Sequence, residues 1–429
     1  MITFWRTIQL ISLILFLSLL ALAISSAITP TPLDFFLLLD PALIALTAIS
    51  ARIFAIAFIP AVLVLIITLL FGRIFCGYIC PMGTTLDGTD KLFGTTKKKQ
   101  SEPGRARLLK YIILFFLLGA SLLGVSFVFV AAPLSLITRL YGLLVHPVLA
   151  FLSNETLSLV LPLAEWLDMD AVVFVRIASP RFATQFFILT FFGVLFVLAR
   201  VSPRFWCRNL CPSGALMALM SKKPLIRRHV SDECTECGRC ANSCPMNAII
   251  TEDPRVTLHE ECIVCRTCEN TCPENAISFD RVKSEQVFAK QRFFLTRRQF
   301  IYSGLFGVAT ATVGLTGLNS LHGKPGPGQV APQGLIRPPG ALPEMDFLAR
   351  CSRCGECMAA CPTNTLQPIW LQAGFMGLFS PGLNLRRSYC SPECRMCGEV
   401  CPTDAIRRLS PDERIWAKTG TAVIFRRKC

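Results

Sequence analysis

Apolar residues gather into runs of the length a bilayer-crossing helix needs: roughly Thr7 to Ile28, Ile53 to Phe71, Tyr111 to Ala132 and, slightly short, Thr184 to Ala199. A weaker fifth run extends from Phe300 to Leu318. The pattern predicts four spanning helices and one further anchor helix. Pro133 to Phe182 is apolar but broken by Arg139, His146, Glu155, Glu165, Asp168 and Asp170, and reads as an external, partly interfacial loop. Leu321 to Met345 holds Pro325, Pro327, Pro332, Pro338, Pro339 and Pro343, which predicts a semi-rigid linker.

Composition agrees with the runs. The 429 residues are 52% hydrophobic and only 17% charged, which excludes an ordinary soluble protein of this size. Charge adds an orientation. Arg73, Lys91, Lys97, Lys98, Lys99, Arg105, Arg107 and Lys110 lie between the second and third runs, whereas Thr29 to Ser50 carries Asp34 and Asp40 and no basic residue. The positive-inside rule makes the basic loop cytoplasmic and the acidic one external. Arg200, Arg204, Arg208, Lys222, Lys223, Arg227 and Arg228 repeat the bias after the fourth run. The net charge of +15 therefore belongs to membrane flanks and anionic lipid, and no nucleic-acid partner is expected.

Four cysteine runs close on Cys-Pro: Cys234-Cys237-Cys240-Cys244, Cys262-Cys265-Cys268-Cys272, Cys351-Cys354-Cys357-Cys361 and Cys390-Cys394-Cys397-Cys401. The spacing C-x2-C-x2-C-x3-C-P, with one extra residue in the fourth run, wraps three thiolates around one [4Fe–4S] cube and sends the fourth to a neighbouring cube. Zinc ribbons separate two Cys pairs widely, and runs this dense could not all reach disulfide geometry. By the two-cluster ferredoxin rule, Cys234, Cys237, Cys240 and Cys272 hold one cube and Cys262, Cys265, Cys268 and Cys244 the next. Likewise Cys351, Cys354, Cys357 and Cys401 hold a third, and Cys390, Cys394, Cys397 and Cys361 a fourth.

A second cysteine pattern repeats at the membrane. Phe71-Gly72-Arg73-Ile74-Phe75-Cys76-Gly77-Tyr78-Ile79-Cys80-Pro81-Met82-Gly83 returns as Pro203-Arg204-Phe205-Trp206-Cys207-Arg208-Asn209-Leu210-Cys211-Pro212-Ser213-Gly214, each after a run that leads inward. Cysteines four apart share a helix face, so Cys76, Cys80, Cys207 and Cys211 offer four sulfurs to a fifth iron–sulfur centre. Alternatively they are small residues packing helix ends.

Arg292-Phe293-Phe294-Leu295-Thr296-Arg297-Arg298-Gln299-Phe300 looks like an internal twin-arginine export signal, a route that carries a domain already loaded with metal. No C-x-x-C-H stands in the chain and no glycine fingerprint follows a strand, so neither haem nor flavin is expected. Quinol binding is expected beside the C-x3-C-P motifs, with Arg73 and Asp87 as headgroup contacts; His146 and Arg139 form a competing external site. Val423-Ile424-Phe425 before Cys429 repeats the register of Val256 and Leu258 before Cys262, as if another cluster motif were about to begin; the alternative is a plain terminal thiol.

On these motifs residues 1 to about 280 resemble the NapH/MauN type of membrane polyferredoxin, and the chain from about 290 resembles the NapG/MauM type of twin-arginine-exported ferredoxin. The resemblance implies a fused quinol dehydrogenase module in a prokaryotic cytoplasmic membrane. Its parts are a multi-domain α-helical membrane bundle of four spans (1–230), a cytoplasmic two-cluster α+β ferredoxin domain (231–285), a Tat-type anchor helix (290–320), a linker (321–345) and a periplasmic two-cluster ferredoxin domain (346–429). The implied partners are lipid, the quinone pool and a periplasmic oxidoreductase or cytochrome subunit. The competing expectation is an accessory polyferredoxin for maturation or regulation of a respiratory metalloenzyme.

Overall fold

The computed structural model describes residues 4–25, 34–93, 105–166, 179–281, 296–315 and 335–419. The expectations for Cys429, for residues 292–295 of the twin-arginine sequence, for the lysines at 97–99 and for the linker before residue 335 lie outside them. The chain forms two compact units. One comprises Met1–Ser18, Phe35–Leu136 and Phe191–Thr316; the other comprises Leu19–Asp34, Ile137–Thr190 and Gly317–Cys429.

Among the described residues two helices, Phe4–Ser25 and Pro133–Leu159, are long and apolar enough to cross a membrane. Four more apolar helices, Pro41–Ala51, Ile56–Phe71, Leu108–Leu122 and Gln185–Arg200, have only 10–17 residues, short of the roughly 20 a straight crossing takes. The third apolar run is cut because Gly124, at φ +81°, follows helix Leu108–Leu122 and the chain turns into a 3-10 segment at Val128–Val130.

One expectation drawn from polar interruptions is corrected. The stretch read as an external loop is helical from Pro133 through Trp166, with a π-turn at Leu140–Val145. Its charges do not break it because Arg139 is buried while Glu155 faces outward. The acidic stretch, expected on the external side, carries a buried charge. Asp40 is fully buried and caps helix Pro41–Ala51, accepting from Ala42 N at 3.2 Å and Leu43 N at 3.3 Å, and it also accepts from the Ser213 hydroxyl.

In the first unit, helix Arg297–Leu315 lies on Leu108–Leu122 through a strip of small residues, Ser303, Gly307 and Ala311. A Cβ on Gly119 would fall 2.2 Å from the Gly304 carbonyl oxygen, and one on Gly307 would fall 2.0 Å from that of Phe116. Only glycine permits this backbone-to-backbone approach. Phe115 and Phe300 meet edge-on beside it, with centroids 4.5 Å apart.

The same unit carries a small α+β lobe. Strands β1 (Ile226–Val230) and β2 (Ile277–Arg281) pair antiparallel, from Ile226 opposite Arg281 to Val230 opposite Ile277. They bracket the first two cysteine runs and close the lobe around Ile249, Ile277 and Phe279.

The second unit holds the matching lobe, with β3 (Leu366–Pro368) antiparallel to β4 (Pro381–Leu383). Residues 335–345, expected as linker, are part of it. Ile336 bridges Leu383, and Ala341 bridges Ile406. Arg337 pairs with Glu344 at 2.5 Å, donates to the Pro381 carbonyl at 2.7 Å and lies over the Phe347 ring. Pro338 and Pro339 suit such an extended edge, where no strand hydrogen bond is asked of them. The apolar insert between the third and fourth cysteine runs is the β3–β4 tip, where Trp370 and Phe379 pack on Phe187.

Candidate metal centres

The cysteine loops share one backbone solution. The residue just before the second cysteine takes a left-handed conformation at Glu236, Val264 and Arg353, and so does the third residue after the closing cysteine at Asn247, Asn275, Asn364 and Asp404. Asn and Asp tolerate that region best among residues with a Cβ, so Cys-Pro-x-Asn/Asp is a sequence signal the cysteine spacing alone does not use. Left-handed turns curl the loop and aim successive sulfurs inward.

The sulfurs then gather in crossed sets. Cys244, Cys262, Cys265 and Cys268 line one cavity of about 360 Å³. Cys234, Cys237, Cys240 and Cys272 line another of about 310 Å³, and Cys351, Cys354, Cys357 and Cys401 line a third of about 330 Å³. Cys361, Cys390 and Cys394 all lie close enough to Cys397 to act on its charge. Among the described residues no three Cys, His, Asp or Glu groups converge tightly enough for a single metal ion. A cube takes its four thiolates on separate corners. Burial pushes the Cys268 and Cys401 thiols up to about 12, so at neutral pH they stay protonated until a metal binds and displaces the proton to solvent. The residues present therefore fit a [4Fe–4S] cube.

The cavities differ in setting. Arg228 donates to Cys240 Sγ at 3.3 Å, and Arg414 to Cys390 Sγ at 3.5 Å. Cys237 is exposed, whereas Cys351, Cys354, Cys357 and Cys401 are all buried.

The two C-x3-C-P motifs adopt near-copies of one geometry. Cys76 lies in the π-turn Phe75–Ile79 and Cys207 in the short helix Phe205–Asn209. Cys80 and Cys211 are extended, at ψ 114° and 113°, as residues before proline tend to be, and Pro81 and Pro212 open the next helices. Cys76 and Cys207 lie near enough to both Cys80 and Cys211 for their charges to interact, so the four thiols form one group.

Around this group stand two arginines the cysteine pattern does not reveal. Arg73 and Arg204 each precede the first cysteine of their motif by three residues, both are fully buried, and each crosses to the other motif. A Cβ on Gly214 would lie 2.8 Å from Arg73 Nη2, and one on Gly83 would lie 3.6 Å from Arg204 Nη2. Arg204 also donates to the Cys76 carbonyl at 3.2 Å. The repeated unit is thus R-x2-C-x3-C-P-x-G, its glycine leaving room for the opposite guanidinium. Burial raises the Cys80, Cys207 and Cys211 thiols, and the two guanidiniums offset part of that rise at Cys207.

This group abuts the first lobe. A Cβ on Gly77 would lie 2.5 Å from the Ile263 carbonyl oxygen, and Tyr78 donates its hydroxyl to the Val264 carbonyl at 2.9 Å. Glu261, just before Cys262, is buried between Arg73 at 2.9 Å and Lys110 at 2.5 Å. Burial pushes this carboxyl up, but Lys110, Arg73 and Arg107 outweigh it and hold it down at about 2. Arg107 donates to the carbonyls of Met246 at 2.9 Å and Asn247 at 2.6 Å.

The expected quinol contacts are already engaged. Arg73 is committed to Glu261, and Asp87 pairs with Arg204 at 2.6 Å and accepts from Gln9 at 3.1 Å. Of the competing pair, Arg139 turns towards the Cys351 loop, and His146, a helical residue further on, is half-buried.

Comparison with known proteins places these motifs. The family described as "4Fe-4S binding domain" matches residues 53–100 and again 184–231, one match for each C-x3-C-P repeat. A "4Fe-4S dicluster domain" matches residues 233–277, and a further "4Fe-4S binding domain" matches residues 348–367. The chain is 41% identical over 97 residues to the methylamine utilization ferredoxin-type protein MauM of Paracoccus denitrificans, covering 21% of this chain and 39% of that one. It is 39% identical over 74 residues to the ferredoxin-type protein NapG of Escherichia coli, covering 17% and 32%. It is 28% identical over 204 residues to the putative electron transport protein YccM of Escherichia coli, covering 44% and 46%. The chain thus spans less than half the length of each of these relatives, and no solved structure matches it. The chain thus carries iron–sulfur-binding, ferredoxin-type segments similar to those of the MauM and NapG ferredoxin-type proteins.

Proposed function

We propose that the chain is a multi-pass membrane module, the fusion of a NapH/MauN-type and a NapG/MauM-type protein, that oxidises quinol and passes single electrons to a periplasmic oxidoreductase. The observation that carries this reading is the contact of the C-x3-C-P group with the Cys262 loop through Gly77 and Ile263, which sets the apolar helices against a cysteine-lined cavity. The sixteen cysteines of the four runs, in the crossed sets above, would hold four [4Fe–4S] clusters, and Cys76, Cys80, Cys207 and Cys211 a fifth centre. Each cluster, when bound, supplies reversible one-electron transfer.

The chain's own residues set the conditions for that transfer. Arg73 and Arg204 keep positive charge beside the C-x3-C-P sulfurs, Glu261 ties the first lobe to the helices that carry them, and Arg228 and Arg414 donate to cluster-facing sulfurs. The name of YccM, an electron transport protein, favours this reading over an accessory role in metalloenzyme maturation. Anaerobically purified protein should contain at least about sixteen iron atoms per chain, four for each cube, and quinol should reduce them. About eight iron atoms, stoichiometric zinc, or clusters inert to quinol would overturn the proposal.

Arg297-Arg298 and the uneven basic loops support placing the two lobes on opposite sides of the membrane, the first cytoplasmic and the second periplasmic. A reporter fused after Met345 should then appear outside the cytoplasm, and replacing both arginines by lysine should block its export. A cytoplasmic reporter on the unaltered chain would refute this topology.

A further inference from the structure

Arg139 stands more than 200 residues before Cys351 in the sequence, yet its side chain belongs to the loop that Cys351 opens. The helical run from Pro133 presses on that loop where side chains are smallest. A Cβ on Gly355, whose φ is +91°, would come 3.0 Å from Leu143 Cδ1 and 3.4 Å from Arg139 Cγ. One on Gly142 would meet the Ala359 methyl at 3.4 Å. The guanidinium of Arg139 lies 5.9 Å from the centroid of the Phe379 ring and acts on the charges of Cys354 and Cys351. Arg353, inside the loop, is buried, acts on the charge of Cys351 and donates to the Met376 carbonyl. This cavity therefore has two buried guanidiniums, one of them supplied from outside the ferredoxin lobe, four buried cysteines, and the buried carboxylate of Glu356, which acts on Cys354.

A [4Fe–4S] centre that takes up one electron gains one negative charge. A fixed cation nearby stabilises the reduced form more than the oxidised form, and burial removes the water that would otherwise screen it. The Cys390 cavity contrasts with this one: Cys361, Cys390, Cys394 and Cys397 are each partly exposed.

We propose that Arg139 is a positioning residue that sets the reduction potential of the Cys351-Cys354-Cys357-Cys401 centre, raising it so that this centre accepts the electron entering the second lobe. The electron comes from quinol, one per step, and leaves through the more exposed Cys390-Cys394-Cys397-Cys361 centre to an external acceptor. This inference rests on the cluster reading given above.

The test is an EPR-monitored redox titration of the intact, anaerobically purified chain with Arg139→Gln and Arg139→Lys, alongside iron analysis. In Arg139→Gln one centre should become at least about tenfold harder to reduce, a downward shift of about 59 mV for a one-electron couple, with the others unmoved. Arg139→Lys should restore most of that shift, because it keeps the charge while losing the planar fork. Potentials unchanged in Arg139→Gln, or shifted equally in both variants, would overturn the proposal while leaving the cluster reading intact. Equal loss of about four iron atoms from both variants would also overturn it, since the residue would then be needed for assembly regardless of charge. A wild-type chain without four reducible centres would instead defeat the cluster reading itself, and this inference with it.

Discussion

Replacing Glu261 by alanine is expected to destabilise the contact between the first lobe and the helices by about 3–5 kcal/mol, the cost of breaking a buried pair from one side. Arg73 and Lys110 have no exposed surface and Glu261 is only 6% exposed, so the mutation strands two cations where water cannot solvate them. Arg107 and Tyr111 lose the same carboxylate. The exposed pair of Arg255 and Glu236, 3.2 Å apart, supplies the contrast: Glu236→Ala should cost no more than about 1 kcal/mol. Urea-unfolding midpoints of the detergent-solubilised chain, with limited proteolysis between the last helix and β1, measure both. Equal midpoints for the two variants would show that Glu261 does not latch the lobe. The folded value of Glu261 is depressed from 4.5 to about 2, so its contribution is complete above pH 4.5 and is lost as pH falls towards 2.

Replacing Cys80 by serine is expected to remove about four iron atoms per chain and to abolish reduction by quinol, leaving the other clusters reducible by dithionite. Serine preserves the local fold: the Cys80 carbonyl, which accepts from Thr84 N at 3.3 Å, is unaffected, and Pro81 still opens the next helix. What is lost is one soft thiolate from a group of four, facing Arg73 and Arg204. Full iron content and unchanged quinol kinetics would show that these cysteines pack helix ends. Iron loss spread over all the centres would show general unfolding instead.

The positions of the cysteine loops were legible in the sequence because such a loop is a local object. Cysteines three residues apart can reach one cube without help from distant residues, and the closing Cys-Pro marks where the loop hands a sulfur to its neighbour. The repeat of Cys76 and Cys80 at Cys207 and Cys211 was visible for the same reason. Helix positions were less so. Apolar length located Phe4–Ser25, but it misread Pro133–Trp166 as a loop, because sequence counts a charge as a break while the fold can bury it against a partner, as it buries Arg139 against the Cys351 loop.

Every long-range electrostatic pairing was decided by the tertiary structure alone. That Arg73 answers Glu261, 188 residues away, that Arg204 answers Asp87, and that Asp40 meets Ser213 follow from which helices pack together, and no periodicity encodes the partner of a buried charge. Residues 335–345 make the same point. Their prolines forbid a helix or an inner strand and so read as linker, but an extended segment without its own hydrogen bonds can equally serve as a sheet edge, and Ile336 and Ala341 take that role because Leu383 and Ile406 present backbone to them. Local chain chemistry determined what this protein can bind, and tertiary packing decided which charges stand beside it, because a desolvated charge acts on whatever the fold brings near.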